Sequence, residues 1–265
     1  MVNIPMTSRQ SMSTAELGQI NRVTGGSQSI QALRTPAPAR TAPPPPTRTA
    51  PPPPARTAPP PAPTGAVPRR PHPPASGTVL QKGQKVSLSQ MAPALEQVDV
   101  GLGWDLAPGS RGYELDVEAF LLGPDGRVPG DDWFVFYNQP ASPDGAVRLL
   151  DTAAPTGTPG DDGVIRVDLR RLSPQVARIA FIVTINEARQ RGHHFGGVSA
   201  AYARVTDRAS RRELVRFPLS DYYSNVCSMV VGELYRYKDE WRFNPVGNGT
   251  GDDLAGLCAR YGVDV

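Results

Sequence analysis

Residues 98–105 read VDVGLGWD, and residues 113–122, one short Pro- and Gly-containing turn later, read YELDVEAFLL. In the first stretch Val98, Val100, Leu102 and Trp104 alternate with Asp99, Gly101 and Gly103. In the second, Tyr113, Leu115, Val117, Ala119 and Leu121 fall on one side and Glu114, Asp116 and Glu118 on the other. A period of two marks a strand with one face toward a core. Further short runs follow at Phe134–Tyr137, Ile165–Leu169, Ile179–Ile185, Ala201–Val205, Glu213–Leu219, Met229–Tyr237 and Trp241–Val246, with polar turns such as Lys238-Asp239 between them. One segment alone has helical spacing: Leu254, Leu257, Cys258 and Tyr261, with Asp252 or Asp253 at its start and Gly262 at its end. Many short strands and one helix predict an all-β fold, a β-sandwich with a short C-terminal helix.

Upstream the texture is different. Of the 30 prolines in the 265 residues, eighteen lie between Pro36 and Pro74, and an eight-residue repeat runs RTAPPPPT, RTAPPPPA, RTAPPPAP from Arg40, Arg48 and Arg56. Proline lacks the N–H that helices and ladders need, so a solvated polyproline-II rod is expected. The predicted division is a disordered Pro/Arg-rich tail over 1–77 and a folded domain over 78–265. The tail carries a net charge of +7 and the domain −4, which together give the chain its +3. PxxP beside Arg suits the aromatic grooves of SH3-like domains, and evenly spaced Arg suits an anionic surface; the plain alternative is a spacer. The charges also allow the tail to dock weakly on acidic loops of the domain.

Two cysteines, Cys227 and Cys258, form no disulfide framework and are expected reduced, in keeping with a cytoplasmic protein. No apolar run approaches the roughly 20 residues of a membrane span, so membrane contact is expected to be peripheral at most.

The acids are uneven. Residues 105–168 hold twelve carboxylates against four Arg, at strand ends and in Gly-rich loops: Asp105, Asp116, Asp125 and Asp131, Asp144, Asp161 and Asp162. If loops at one end of a sandwich converge, such groups repel one another unless a cation joins them. Calcium suits them, taking about six to eight oxygens in flexible geometry, whereas zinc would want Cys or His, absent from this stretch. Asp and Gly are also ordinary turn residues, so clustering alone leaves the point open. A Glu114/Glu118 pair reads as a solvated face rather than a glycosidase dyad, and His193-His194 as a loop pair without a third ligand. Neither cysteine has a base beside it, no nucleotide-binding motif is present, and no enzyme chemistry or nucleic-acid binding is expected.

VSLSQMAP (86–93), DVGLGWD (99–105), LDVEAFLLG (115–123), FVFYNQPASPDG (134–145), GDDGVIRVDL (160–169), TINEARQRG (184–192) and GELYRYKDEWRFNPVGNG (232–249) resemble, in order and spacing, the TerD family of tellurite-resistance and stress-response proteins. The resemblance runs from about Gln81 to Val265. It implies a compact calcium-binding β-sandwich, with Asp105, Asp116, Asp131, Asp144, Asp161 and Asp162 as metal ligands and Asn138 as a carbonyl donor. It further implies a non-enzymatic scaffold role, with other Ter-type stress proteins as partners. A membrane-surface adaptor behaving like a C2 domain is the alternative. The chain departs from the family pattern at Trp133, at Asp151-Thr152-Ala153 and at Gly163, each of which removes or shifts an oxygen donor.

Overall fold

A computed structural model describes residues 72–150, 160–219 and 225–264. The expected disordered tail lies outside the described residues except for its end, residues 72–77. Twelve strands are formed among the described residues: β1 (Thr78–Val79), β2 (Val86–Ser87), β3 (Gln97–Leu106), β4 (Leu115–Leu122), β5 (Phe134–Val135), β6 (Val147–Leu150), β7 (Gly163–Asp168), β8 (Arg178–Ile185), β9 (Val198–Asp207), β10 (Arg212–Pro218), β11 (Ser228–Tyr237) and β12 (Glu240–Thr250). They make two six-stranded sheets, ordered β1-β10-β9-β3-β7-β6 and β2-β12-β11-β8-β4-β5. Every pairing is antiparallel except β1 with β10. No helix among the described residues is long and apolar enough to cross a membrane.

The two sheets face each other across the alternation that opens the domain. Val98, Val100, Leu102 and Trp104 of β3 are buried, as are Val117, Ala119 and Leu121 of β4, and all join one apolar core. The opposite face of β3 is not left to water. A Cβ at Gly101 would lie 2.1 Å from Asp161 Oδ2, and one at Gly103 would lie 2.5 Å from the Tyr202 ring. These glycines hold space for side chains lying across the outer face of the sheet.

The helix forms as its spacing predicts, over Leu254–Tyr261. Asp253 caps it by accepting the Gly256 N–H, and Gly262 ends it in the left-handed region at φ 83°. Its apolar side carries Leu257 and Cys258, both fully buried, and Tyr261, whose ring centroid is 4.7 Å from that of Phe120 on β4. Phe120 in turn stacks on Phe134 at 4.2 Å.

This helix corrects one expectation from the sequence. Glu118 is not part of a solvated face; it is completely buried, while Glu114 stays exposed. Thr184 Oγ1 donates to Glu118 Oε1 at 2.6 Å, and Oε2 has no partner among the described residues. Burial pushes the Glu118 carboxyl well above its ordinary value, with a smaller push from Asp116, against the Thr184 bond. Burial likewise raises the Cys258 thiol to about 11, helped by Glu118 and Asp131. Both cysteines are free, Cys258 buried and Cys227 partly so.

The folded-state pKa of Glu118 lies above the unfolded value, so its contribution is fully present below the unfolded carboxylate range. That contribution is lost as pH rises toward the folded value. Glu118→Gln keeps an oxygen for Thr184 and removes the titration. The variant is expected to match wild type at about pH 4 and to melt higher at about pH 8. Each kcal/mol recovered appears as ~2–4 °C in a domain of this size. A variant that melts lower than wild type at the higher pH contradicts this account.

Candidate functional site

Strand direction sorts the acids. The C-terminal end of β3 pairs with the N-terminal end of β7 (Leu102 opposite Gly163) and with the N-terminal end of β9 (Leu106 opposite Val198). The N-terminal end of β4 comes to the same end of the sandwich, because a Cβ at Gly163 would lie 2.3 Å from Val117 Cγ2. Asp105, Asp116, Asp161 and Asp162 therefore share one end. Asp144 does not. It sits in the turn before β6, whose Val147 opposes Val167 near the far end of β7. There its oxygens accept from Ser142 Oγ at 2.6 Å and from the N–H groups of Ala146 and Ser173, each at 2.9 Å. Asp131 Oδ1 accepts the Asp264 N–H at 3.0 Å, next to the end of the C-terminal helix, and Asn138 is exposed beside the edge strand β5. Asp125 turns back on the Arg127 N–H at 3.1 Å.

At the shared end the four aspartates have different surroundings. Asp162 Oδ2 accepts the Trp104 N–H at 2.8 Å, and its own N–H bonds to Leu102 O, which fastens the loop to β3. Asp105 is exposed at 46% and its Oδ1 faces His72 Nε2 at 3.2 Å. Asp116 is half-buried, and burial, with Glu114 next to it, raises its carboxyl above the ordinary value. A cation beside it would reverse that.

Asp161 is different in kind. It is 1% exposed and meets Arg204, 5% exposed, whose Nη2 and Nε donate to its Oδ2 at 2.9 and 3.1 Å. Tyr202 OH lies 2.8 Å from both its Oδ1 and Gly160 O, which share the one phenol proton. Arg204 Nη1 reaches Glu213 Oε2 at 3.4 Å, and Glu213 forms a two-point fork with Arg216 at 2.8 and 2.9 Å. The Arg216 guanidinium lies 4.2 Å from the centroid of the Tyr202 ring, closing the circuit. Two carboxylates and two guanidiniums balance in charge on the outer face of the β10-β9-β3 sheet. Burial pushes the Asp161 carboxyl up against the pull of Arg204. Burial also works on Glu213, but Arg216 and the N–H groups of Gly77 and Ser76 hold that carboxyl below its ordinary value.

This network is absent from any reading of the acids alone. Its one signal in the sequence is the spacing of Tyr202, Arg204 and Thr206, which alternate with Ala201, Ala203 and Val205 and put a charge on a face that the two glycines of β3 have already cleared. A second pairing of the same type, Asp99 with Arg166 across β3 and β7, is a fork at 2.8 and 3.0 Å. His193 stacks on Tyr113 at 4.0 Å, and Tyr113 OH accepts the His194 N–H at 3.2 Å, so the pair is built into its loop.

Oxygen donors of the type calcium takes gather at the shared end: the carboxylates of Asp105, Asp116 and Asp162, and the Gly160 carbonyl. The fit is one of donor type and place. Among the described residues no three acidic, cysteine or histidine side chains stand close enough to share one ion.

A TerD domain match spans residues 77–261. This chain belongs to the TerD family. Tellurium resistance protein TerD of Serratia marcescens is 40% identical over 186 residues, covering 70% of this chain and 97% of that protein. General stress protein 16U of Bacillus subtilis is 36% identical over 188 residues, again covering 70% of this chain and 97% of the relative. A solved structure, described as a homologue of telluride resistance protein (TerD) from Streptomyces coelicolor, is 28% identical. It covers 62% of this chain and 95% of its own, at a TM-score of 0.46. The TerD match begins at residue 77, and the Ser76 and Gly77 N–H groups each donate to Glu213 Oε1 at 3.3 Å.

Proposed function

We propose that this TerD-family chain is a non-enzymatic, calcium-binding interaction module of the stress and tellurite response. The observation that carries the calcium part is the gathering of Asp105, Asp116 and Asp162 at one end of the sandwich, with the Asp116 carboxyl already strained by burial and Glu114. Asp161 is assigned to Arg204 and not to the ion. Calcium held by the carboxylates of Asp105, Asp116 and Asp162 would supply charge neutralisation; the chain's own part is to hold the loop by the Asp162–Trp104 bond. The non-enzymatic part rests on how the ionisable groups are spent: Asp161 on Arg204, Glu213 on Arg216, Asp99 on Arg166, and the Cys258 thiol raised by burial.

Calorimetric titration tests the reading. The purified chain is expected to take up calcium, and the triple change of Asp105, Asp116 and Asp162 to Asn is expected to abolish uptake. Uptake that persists in the triple variant, or none in wild type, refutes it.

A further inference from the structure

Two arginines from separate segments close over one turn at the end of the sandwich opposite Asp105, Asp116 and Asp162. The turn is Ser142-Pro143-Asp144-Gly145, just before β6. Asp144 braces it. Its Oδ1 takes the Ser142 hydroxyl and the Ala146 N–H, and its Oδ2 takes the Ser173 N–H, which draws the segment after β7 alongside. Arg148 of β6 donates from Nε to Gly145 O at 3.4 Å, and Arg171, just past β7, donates from Nη2 to Asp144 O at 3.0 Å. Gly145 has φ 65°, and a Cβ there would lie 3.3 Å from Arg148 Nη2 and 3.4 Å from Arg171 Nη2. The two guanidiniums therefore meet above a residue with no side chain to part them.

Both arginines are exposed, and among the described residues no carboxylate pairs with either. Their anchors are backbone carbonyls, which orient a guanidinium without neutralising its charge. Neighbouring charges are otherwise engaged. Arg166, opposite Arg148 in the register, forks onto Asp99, and Arg170 pairs with Glu96. Asp168 accepts from the Gln97 side chain and from the N–H groups of Arg170 and Arg171. Two convergent guanidiniums with donors to spare suit an anion of several oxygens, which each can meet through paired N–H bonds.

We propose that Arg148 and Arg171 form a clamp for a phosphate-type dianion, taken either free or as a phosphomonoester. The clamp lies at the other end of the sandwich from the calcium assignment and does not depend on it.

Calorimetric titration of the calcium-free chain with inorganic phosphate, and separately with O-phosphoserine, tests the clamp. Uptake of phosphate in the millimolar range or tighter is expected at low salt. Arg148→Gln and Arg171→Gln are each expected to weaken it about tenfold or more, as for loss of hydrogen bonds to a charged group. Arg170→Gln removes the same charge one position from Arg171 and is expected to leave the affinity unchanged. All three variants should melt with wild type, as surface changes do, so that lost binding is not lost folding. Equal uptake of O-phosphoserine assigns the site to the phosphoryl group in general, and uptake of phosphate alone assigns it to the free anion. No uptake of either by wild type, uptake retained when both arginines are changed to Gln, or an equal loss in Arg170→Gln overturns the clamp.

Discussion

Arg204→Ala is expected to cost about 3–5 kcal/mol of folding stability, the range for removing one partner of a buried ion pair. The cost does not come from the lost attraction alone. With Arg204 gone, Asp161, 1% exposed in the native fold, loses its guanidinium partner and keeps the Tyr202 hydroxyl and the more distant charge of Arg216. Glu213 loses its second guanidinium at the same time and keeps Arg216. In melting experiments the loss corresponds to a drop of roughly 6–20 °C. The accompanying change Asp161→Asn is expected to restore part of the loss, because a neutral amide can stay buried beside Tyr202. A double-mutant cycle over the two positions should therefore show strong coupling. A single variant within about 0.5 kcal/mol of wild type, the level of an ordinary surface change, would mean that the network is not the clasp of this face.

Much of the sandwich is legible in the chain. The period-two runs put Val98, Val100, Leu102, Trp104, Val117, Ala119 and Leu121 in the core, where the structure buries them, with Tyr113 and Leu115 partly buried beside them, and the spacing of Leu254, Leu257, Cys258 and Tyr261 marks the helix with both its caps. The two-residue strands β1 and β2 have too few residues to show a period, and β6, four residues long, is masked by its loop setting. Alternation also says which residues share a face of a strand, but not what covers the second face. That is why Glu118 reads as solvated until the C-terminal helix is laid over it. It is also why the alternation places Gly101 and Gly103 on the second face without showing that Asp161 and Tyr202 lie across them.

The candidate site divides for a related reason. Clustering along the chain places Asp144 and Asp161 in one acidic stretch, but β7 carries the two positions to opposite ends of the sandwich. Asp161 finds its cation forty-three residues away, in Arg204 of β9. A count of acids against nearby arginines misses a partner supplied by another strand of the sheet.

Calcium is expected to stabilise the fold, since ligand bound to the native state alone contributes RT ln(1 + [L]/Kd), about 2.7 kcal/mol at a hundredfold excess over Kd. For this domain the rise in melting temperature is very roughly 5–10 °C. Magnesium at equal concentration should do less, because it gives up its waters reluctantly and demands stricter geometry. The effect depends on carboxylates that the folded chain assembles and the unfolded chain does not. The neutral Asp161–Arg204–Glu213–Arg216 circuit should contribute whether or not calcium is present.

That separation between a structural and a ligand half of the acidic end is tested by melting Asp161→Asn and Asp162→Asn in chelator and again in millimolar calcium. Asp161→Asn should melt several degrees below wild type in chelator and keep most of the calcium-induced rise. Asp162→Asn should melt close to wild type in chelator and lose most of that rise. The reverse pattern, with Asp161→Asn stable in chelator but indifferent to calcium, would contradict the assignment of Asp161 to Arg204.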